Sequence, residues 1–163
     1  MTHKTKMTLI RIVLILFVYG FFNPRVIAEI EGITDYKLGD KLDTSNVINI
    51  EKSDDGTKIY IVKPVSNDTL MSRLAIQITS KGIIHRITAD SSVISSAECY
   101  TRINNLRKST ERDHPDLGYY AMDQSELFYQ GDRTYTLECI KSENGSRLRQ
   151  EYSDDKLAGL IGR

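Results

Sequence analysis

The chain carries two cysteines, Cys99 and Cys139, and the patterns around them constrain its fold more than any other feature. The first lies in the stretch from Ser95 to Leu106, where Ser95 and Glu98 have the S-x-x-E spacing of a helix start. In that arrangement the serine oxygen accepts from a backbone N–H three residues on and the carboxylate reaches back, so both satisfy donors a helix end leaves free. Beyond it Cys99, Ile103, Leu106 and Thr110 recur at helical spacing, while Arg102, Asn105, Lys108 and Arg112 point elsewhere. The spacing predicts a helix over 95–112 with Cys99 on its buried stripe. The second cysteine lies in a run of period two, in which Tyr135, Leu137 and Cys139 share one face and Thr134, Thr136 and Glu138 the other. A helix stripe and a sheet face that both need apolar cover are natural packing partners, which brings the two sulfurs to one interface.

Whether those sulfurs bond depends on the compartment, and the N-terminus speaks to that. Lys4, Lys6 and Arg11 precede the apolar run Ile12 to Phe22, and Val26-Ile27-Ala28 places a small residue at a cleavage point. The run is too short to cross a bilayer comfortably, so 1–28 reads as a secretory signal peptide and 29–163 as a single mature domain. The alternative is an uncleaved membrane anchor starting at Met7. No cysteine follows the apolar run, so no lipid-attachment residue is present there. An exported chain with two core-facing cysteines is read as carrying one disulfide. Closing a loop of about 40 residues is worth roughly 4 kcal/mol in the chain-entropy account. A redox couple fits less well, because there is no C-x-x-C spacing and no cation beside either sulfur to hold a thiolate.

The leader also carries charge. Of 22 basic and 22 acidic residues, Lys4, Lys6, Arg11 and Arg25 would leave with it and no acid would, so the mature chain has four net negative charges. A mildly acidic domain has no electrostatic drive toward nucleic acid. Arg102, Arg107, Lys108 and Arg112 then read as the solvated face of the helix.

In chain order, 29–46 is a polar, glycine-punctuated lead-in, and hairpins follow over 47–89. Ser53-Asp54-Asp55-Gly56 turns Val47–Glu51 into Lys58–Val62, Pro64 closes that hairpin, and Ser80-Lys81-Gly82 turns Leu74–Thr79 into Ile83–Ala89. After the helix, 113–125 reads as a loop, 126–153 as a three-stranded meander with a polar face of Arg147, Arg149 and Glu151, and 154–163 as a tail holding Leu157, Leu160 and Ile161. Asn67-Asp68-Thr69 and Asn144-Gly145-Ser146 match the N-glycosylation triplet, which matters only in a host that glycosylates exported proteins; the second doubles as an Asn-Gly turn. The expected fold is α+β, an antiparallel sheet of about six or seven short strands in hairpins and a meander, with one central helix packed on it.

The loop is the most contact-prone stretch. Pro115 and Gly118 break any helix there, yet Tyr119, Tyr120 and Met122 are larger and more apolar than a solvated loop requires. Tyrosine offers wide contact area at low entropic cost and keeps a polar tip, which suits a recognition surface; the bland alternative is a loop folded over the end of the core. In Ile83–Ala89, Ile83, His85, Ile87 and Ala89 alternate with Ile84, Arg86 and Thr88, so His85 lies among isoleucines on one strand face and reads as a core or strand-edge histidine; His114 sits between Asp113 and Asp116 with no metal-ligand spacing, so no metal and no cofactor is expected. Enzyme signatures such as G-x-S-x-G, H-E-x-x-H and a glycine-rich phosphate loop do not occur. The acid pairs Asp54-Asp55 and Asp154-Asp155 read as solvated turn residues with no apolar pocket to raise a pKa.

The lead-in residues Gly32-Ile33 and Leu38-Gly39-Asp40, together with Cys99 and Cys139, give an outline that resembles small, mostly uncharacterised exported domains of bacteria. That resemblance implies an envelope or periplasmic location and a bonded cysteine pair, and supplies no activity. The expected function is a non-enzymatic protein- or peptide-binding module of the cell envelope, of the inhibitor or immunity type among others, acting through Tyr119, Tyr120 and Met122 or through an exposed sheet edge. The alternatives are a small envelope hydrolase using His85 or His114, and a structural component anchored by an uncleaved leader.

Overall fold

A computed structural model describes residues 30–33, 35–63 and 71–159. The leader, Pro64, the Asn67 triplet and the last residues of the tail lie outside them. Ten strands, two α-helices and one 3-10 turn (Thr44–Asn46) are described: β1 (Gly32–Ile33), β2 (Tyr36–Lys37), β3 (Val47–Lys52), β4 (Lys58–Val62), β5 (Met71–Ile78), β6 (Ile84–Ser91), α1 (Ser96–Asp113), β7 (Gly118–Ala121), β8 (Ser125–Gln130), β9 (Arg133–Ser142), β10 (Gly145–Asp154) and α2 (Asp155–Ala158). Strands β1 and β2 form a small hairpin, and the other eight make one antiparallel sheet in the order β3-β4-β5-β6-β10-β9-β8-β7. The strand number thus exceeds the expected six or seven.

This order is two four-stranded meanders joined by the helix. The first ends at β6; α1 then crosses β10 and β9, the chain re-enters at the far edge as β7, and the second meander returns until β10 pairs with β6. The helix starts where its cap predicts, the Ser95 side chain accepting from the Glu98 N–H at 3.1 Å. Cys99 and Ile103 are its buried residues, with Leu106 packed at the margin of the core. Its outer faces carry i,i+4 pairs, Arg102 with Glu98 at 2.5 Å and Arg107 with Glu111 at 2.9 Å, the usual fate of charges on a solvated helix. Cys99 is bonded to Cys139 of β9, their Cα atoms 6.0 Å apart, so the helix is fastened to the strand it covers.

The lower edge of this clamp is held by a close backbone approach. Ile94 and Ser146 exchange backbone hydrogen bonds of 2.9 and 2.8 Å, and the Ser96 and Ser146 hydroxyls lie 2.9 Å apart. Gly145 adopts φ +148°, and a β-carbon on it would run into the Ile94 carbonyl. The glycine of the Asn144-Gly145 pair therefore opens β10 and admits Ile94, while Glu143 and Asn144 make the turn.

The core lies between one face of the sheet, α1 and the lead-in, with Phe128, Ile76, Ile84, Ile87, Leu137 and Val62 fully buried. Two readings change here. The segment read as an irregular loop, 113–125, contains strand β7, paired with β8 from Gly118 opposite Tyr129 to Ala121 opposite Glu126. The alternation of β6 is also interrupted. Ile78 stands opposite Ile84 and Gln77 opposite Arg86, so His85 is an inserted residue, and both Ile84 and His85 are buried.

Candidate functional site: the outer strands of the sheet

One cross-strand row spans the whole sheet. Reading the register from edge to edge, Ile50 of β3 stands opposite Tyr60, then Ile76, Ile87, Tyr152, Tyr135, Phe128 and finally Tyr119 of β7. Its aromatic half is a ladder of rings, with centroids 4.4 Å apart for Tyr135 and Tyr152, 5.9 Å for Phe128 and Tyr135, and 5.2 Å for Tyr119 and Phe128. Burial pushes the Tyr152 hydroxyl up to about 12 and holds Tyr135 neutral as well, its hydroxyl donating to Gln150 at 2.7 Å. The row is closed over at its centre and runs into the open at both ends.

At the β7 end the three residues singled out from sequence do not converge on one patch. Tyr119 faces the helix side, its ring on Phe128 and its hydroxyl donating to the Glu126 carboxylate, a bond that with partial burial raises its pKa. Tyr120 points to the opposite face and is 62 % exposed, and Met122, also exposed, follows the strand, its N–H donating to the Ser125 carbonyl at 2.9 Å. What they share is the edge. The exposed Tyr129, which sequence reading passed over, lies across Gly118, where any β-carbon would overlap its ring. Gly118 is thus not a loop breaker: the ring of its cross-strand partner occupies the space a side chain would fill.

Backbone phase shows what this edge offers. Met122 bonds β8, so by alternation Tyr120 and Gly118 face β8 while Tyr119 and Ala121 turn their N–H and C=O outward. Among the described residues β7 has no strand on that outer side. The same holds at β3. Across the turn the Ser53 N–H donates to the Thr57 carbonyl at 2.9 Å, so Glu51 faces β4 while Ile50 and Lys52 turn outward. Ile48 and Ile50 are 66 % and 53 % exposed, and a bulge between Val47 and Asn49 irregularises that end.

The other candidates are weaker. The open face of the sheet has a depression of about 230 Å³ whose rim includes Arg73, Arg86 and Arg149. Its cations are already answered: Arg149 holds Asp90 in two bonds of 2.7 and 3.0 Å, Arg73 lies 2.7 Å from Glu51, and Arg86 lies 3.6 Å from Glu151. Three arginines facing three carboxylates make a neutral lattice, not an anion cradle. His85 is 2 % exposed, and neither ring nitrogen has a hydrogen-bond partner. Burial, then the Arg86 charge, hold its pKa below the ordinary value against the pull of Asp154. A general base needs reach to its substrate and an orienting partner, and this imidazole has neither. His114 is exposed at the C-terminal end of α1, its backbone N–H bonded to Thr110, and Asp113 beside it is taken by Arg112. Among the described residues no three His, Cys, Asp or Glu side chains gather as a metal set, and no helix is long and apolar enough to cross a membrane.

Comparison of the chain with protein-family models, with curated proteins and with solved structures finds no match.

Proposed function

We propose that the chain is an exported, non-enzymatic binding protein that takes an extended segment of a partner protein or peptide along the outer side of β7. The observation that carries this reading is the conjunction at one edge of outward-turned backbone groups at Tyr119 and Ala121 with exposed Tyr119, Tyr120, Met122 and Tyr129 on its two faces. Strand addition draws its affinity from main-chain hydrogen bonds and its selectivity from alternate side chains, and this edge supplies both. Tyrosines above and below the strand give an arriving segment an amphipathic surface on either side. The Cys99–Cys139 bond and the leader pattern support an oxidising, exported setting.

The test is selection of short extended peptides from a displayed library against the purified protein. Selected peptides are expected to carry aromatic or β-branched residues at alternate positions. Ala121→Pro removes an outward N–H and leaves the β8 ladder intact, so binding should fall at least tenfold; peptides that bind this variant and the parent equally would discard the β7 edge.

A further inference from the structure

We infer that His85 is the trigger of an acid-operated latch: proton uptake at its ring releases the lead-in, from Ile30 to Leu42, as one flap while the rest of the sheet stays folded. What carries this is the position of the imidazole, at a seam where β6 changes neighbours.

For most of its length β6 lies between β5 and β10, but its pairing with β10 stops where Arg86 stands opposite Ser153. Before that point in the chain the lead-in takes the place of β10. The Gly39 N–H donates to the Ile84 carbonyl at 2.9 Å, the Ile84 N–H to the Asp40 carbonyl at 2.8 Å, and the Leu42 N–H to the Gly82 carbonyl at 3.0 Å, with Lys41 opposite Ile83. His85 is the inserted residue between these two sets of bonds, buried with both ring nitrogens unpartnered. A neutral ring is tolerated in such a place; a charged one is far more costly.

The lead-in is built to move as a unit. Its strands β1 and β2 pair with each other, and the Leu38 N–H donates to the Glu31 carbonyl at 2.6 Å, so the hairpin holds itself together. Beside the three backbone bonds it is fastened by Arg133, which donates to the Ile30 carbonyl at 3.2 Å and to the Asp154 carboxylate at 3.0 Å. The other Asp154 oxygen caps α2 by accepting from the Leu157 N–H at 2.9 Å. At its far end the flap runs into the Thr44–Asn46 turn, where the Asn46 carbonyl accepts from the Lys63 N–H at 3.1 Å and supplies a fixed hinge.

The charges around His85 leave a proton no place in the closed form. Arg86 on its own strand, 3.6 Å from Glu151, opposes a second cation, and Asp154 at the end of β10 favours one. Both Asp154 oxygens are already taken. An imidazolium therefore either goes unanswered beside Arg86 or draws Asp154 from the bonds that hold the flap and α2. Arg73 of β5 and Arg149 of β10 lie on the open face of the sheet and pair with Asp90. Lys37, Asp40 and Lys41 of the lead-in, Lys81 of the preceding turn, and Asp155 and Lys156 of α2 are exposed, and burial keeps Tyr36 and Tyr152 protonated. Opening hydrates the ring, so the open form takes up, near the ordinary value of 6.5, a proton that the closed form refuses. Acid thus drives opening and neutral pH drives closure. The open flap lifts Ile30, Leu38 and Leu42 from the core and bares Ile87, against which Gly32 now lies.

The test is amide hydrogen exchange of the intact, disulfide-bonded protein at pH 7 and pH 5, corrected for the intrinsic rate at each pH. The Gly39, Leu42 and Ile84 amides should lose protection by up to about 25-fold, the limit for one group of pKa 6.5 that binds no proton when closed. At pH 5 they should also exchange ahead of the amides of β9 and β10. In His85→Leu the same three should keep their pH 7 protection at pH 5. Flap amides that exchange only together with β9 and β10 would mean whole-molecule unfolding and overturn the inference, as would an equal acid response in His85→Leu. Should that variant fail to fold, an NMR titration of the parent decides: the His85 ring signals and the Gly39, Leu42 and Ile84 amide signals should share one midpoint below 6.5. A ring that titrates without moving those amides overturns the latch.

Discussion

Ile87 and Ile50 stand in one cross-strand row of one sheet, as do Tyr135 and Tyr119, yet Ile87 is fully buried and Ile50 is more than half exposed. The residue types match; the cover differs. Over the middle of the sheet α1 lies across β10 and β9, its stripe pinned through Cys99 to Cys139, and the lead-in and α2 close over β6. Nothing among the described residues lies beyond β3 or β7. The row thus runs past its cover at both ends and leaves large apolar side chains on open strand edges, the kind of surface to which further strands can add.

The comparison can be broken most directly at the clamp. Replacing Cys99 and Cys139 together by alanine should lower stability by about 4 kcal/mol in the chain-entropy account, read as the shift in urea midpoint, while leaving the proposed peptide capture at β7 unchanged in the folded fraction. A loss under ~1 kcal/mol would mean the helix is held by its stripe alone.

Next comes the row itself. Ile87→Ala removes a fully buried side chain and should cost about 2 to 5 kcal/mol, whereas Ile50→Ala should stay within about 0.5 kcal/mol. Equal costs in the isolated protein would show that the β3 edge is covered in solution and would erase the contrast between centre and edge.

A smaller effect tests the buried histidine. Because the folded protein disfavours the charged imidazole, the unfolded chain takes up a proton that the folded one refuses as pH falls below the ordinary histidine value of 6.5. Stability from this group is therefore complete above that pH and drains away below it, until the folded imidazole itself titrates. His85→Leu removes two unpartnered nitrogens and should hold or raise stability at pH 7 by about 1 to 3 kcal/mol. It should also flatten the fall on the acid side, and thermal melts at pH 7 and pH 5 that slope as steeply as the parent's would sink the assignment. The smallest change is Ser95→Ala, which should cost about 1 kcal/mol through the lost cap, measured by the same melts.

The parts that were legible in sequence share a physical character. Ser95 and Glu98 announce a helix start because capping involves atoms three residues apart, and the Cys99 stripe and the Cys139 face are periodicities of 3.6 and 2 visible within a short window. The parts that were not legible depend on a neighbour far away in sequence. Gly118 has the look of a breaker until the Tyr129 ring is seen lying on it, and that contact exists only because β7 and β8 are paired. His85 has the look of one member of a clean alternation until the Gln77 and Ile78 register shows an extra residue. Tyr119 and Tyr120 stand out in the sequence by residue type alone, whereas their placement on opposite faces of an outer strand follows from pairing, not from composition.

The sequence by itself determined the local grammar of this protein: where the helix begins, which face of it is apolar, which turns close the hairpins, and that two sulfurs belong to one packed interface. Each follows from interactions spanning a few residues, or from an amphipathic period that demands cover. Only the tertiary structure decided which strands lie outermost, since that depends on where α1 sets the chain down after crossing β10 and β9, and β10 then takes the place beside β6. An edge is the absence of a neighbour, and no residue carries that information alone. The end-to-end row from Ile50 to Tyr119 came into being when seven strand pairings fell into register together.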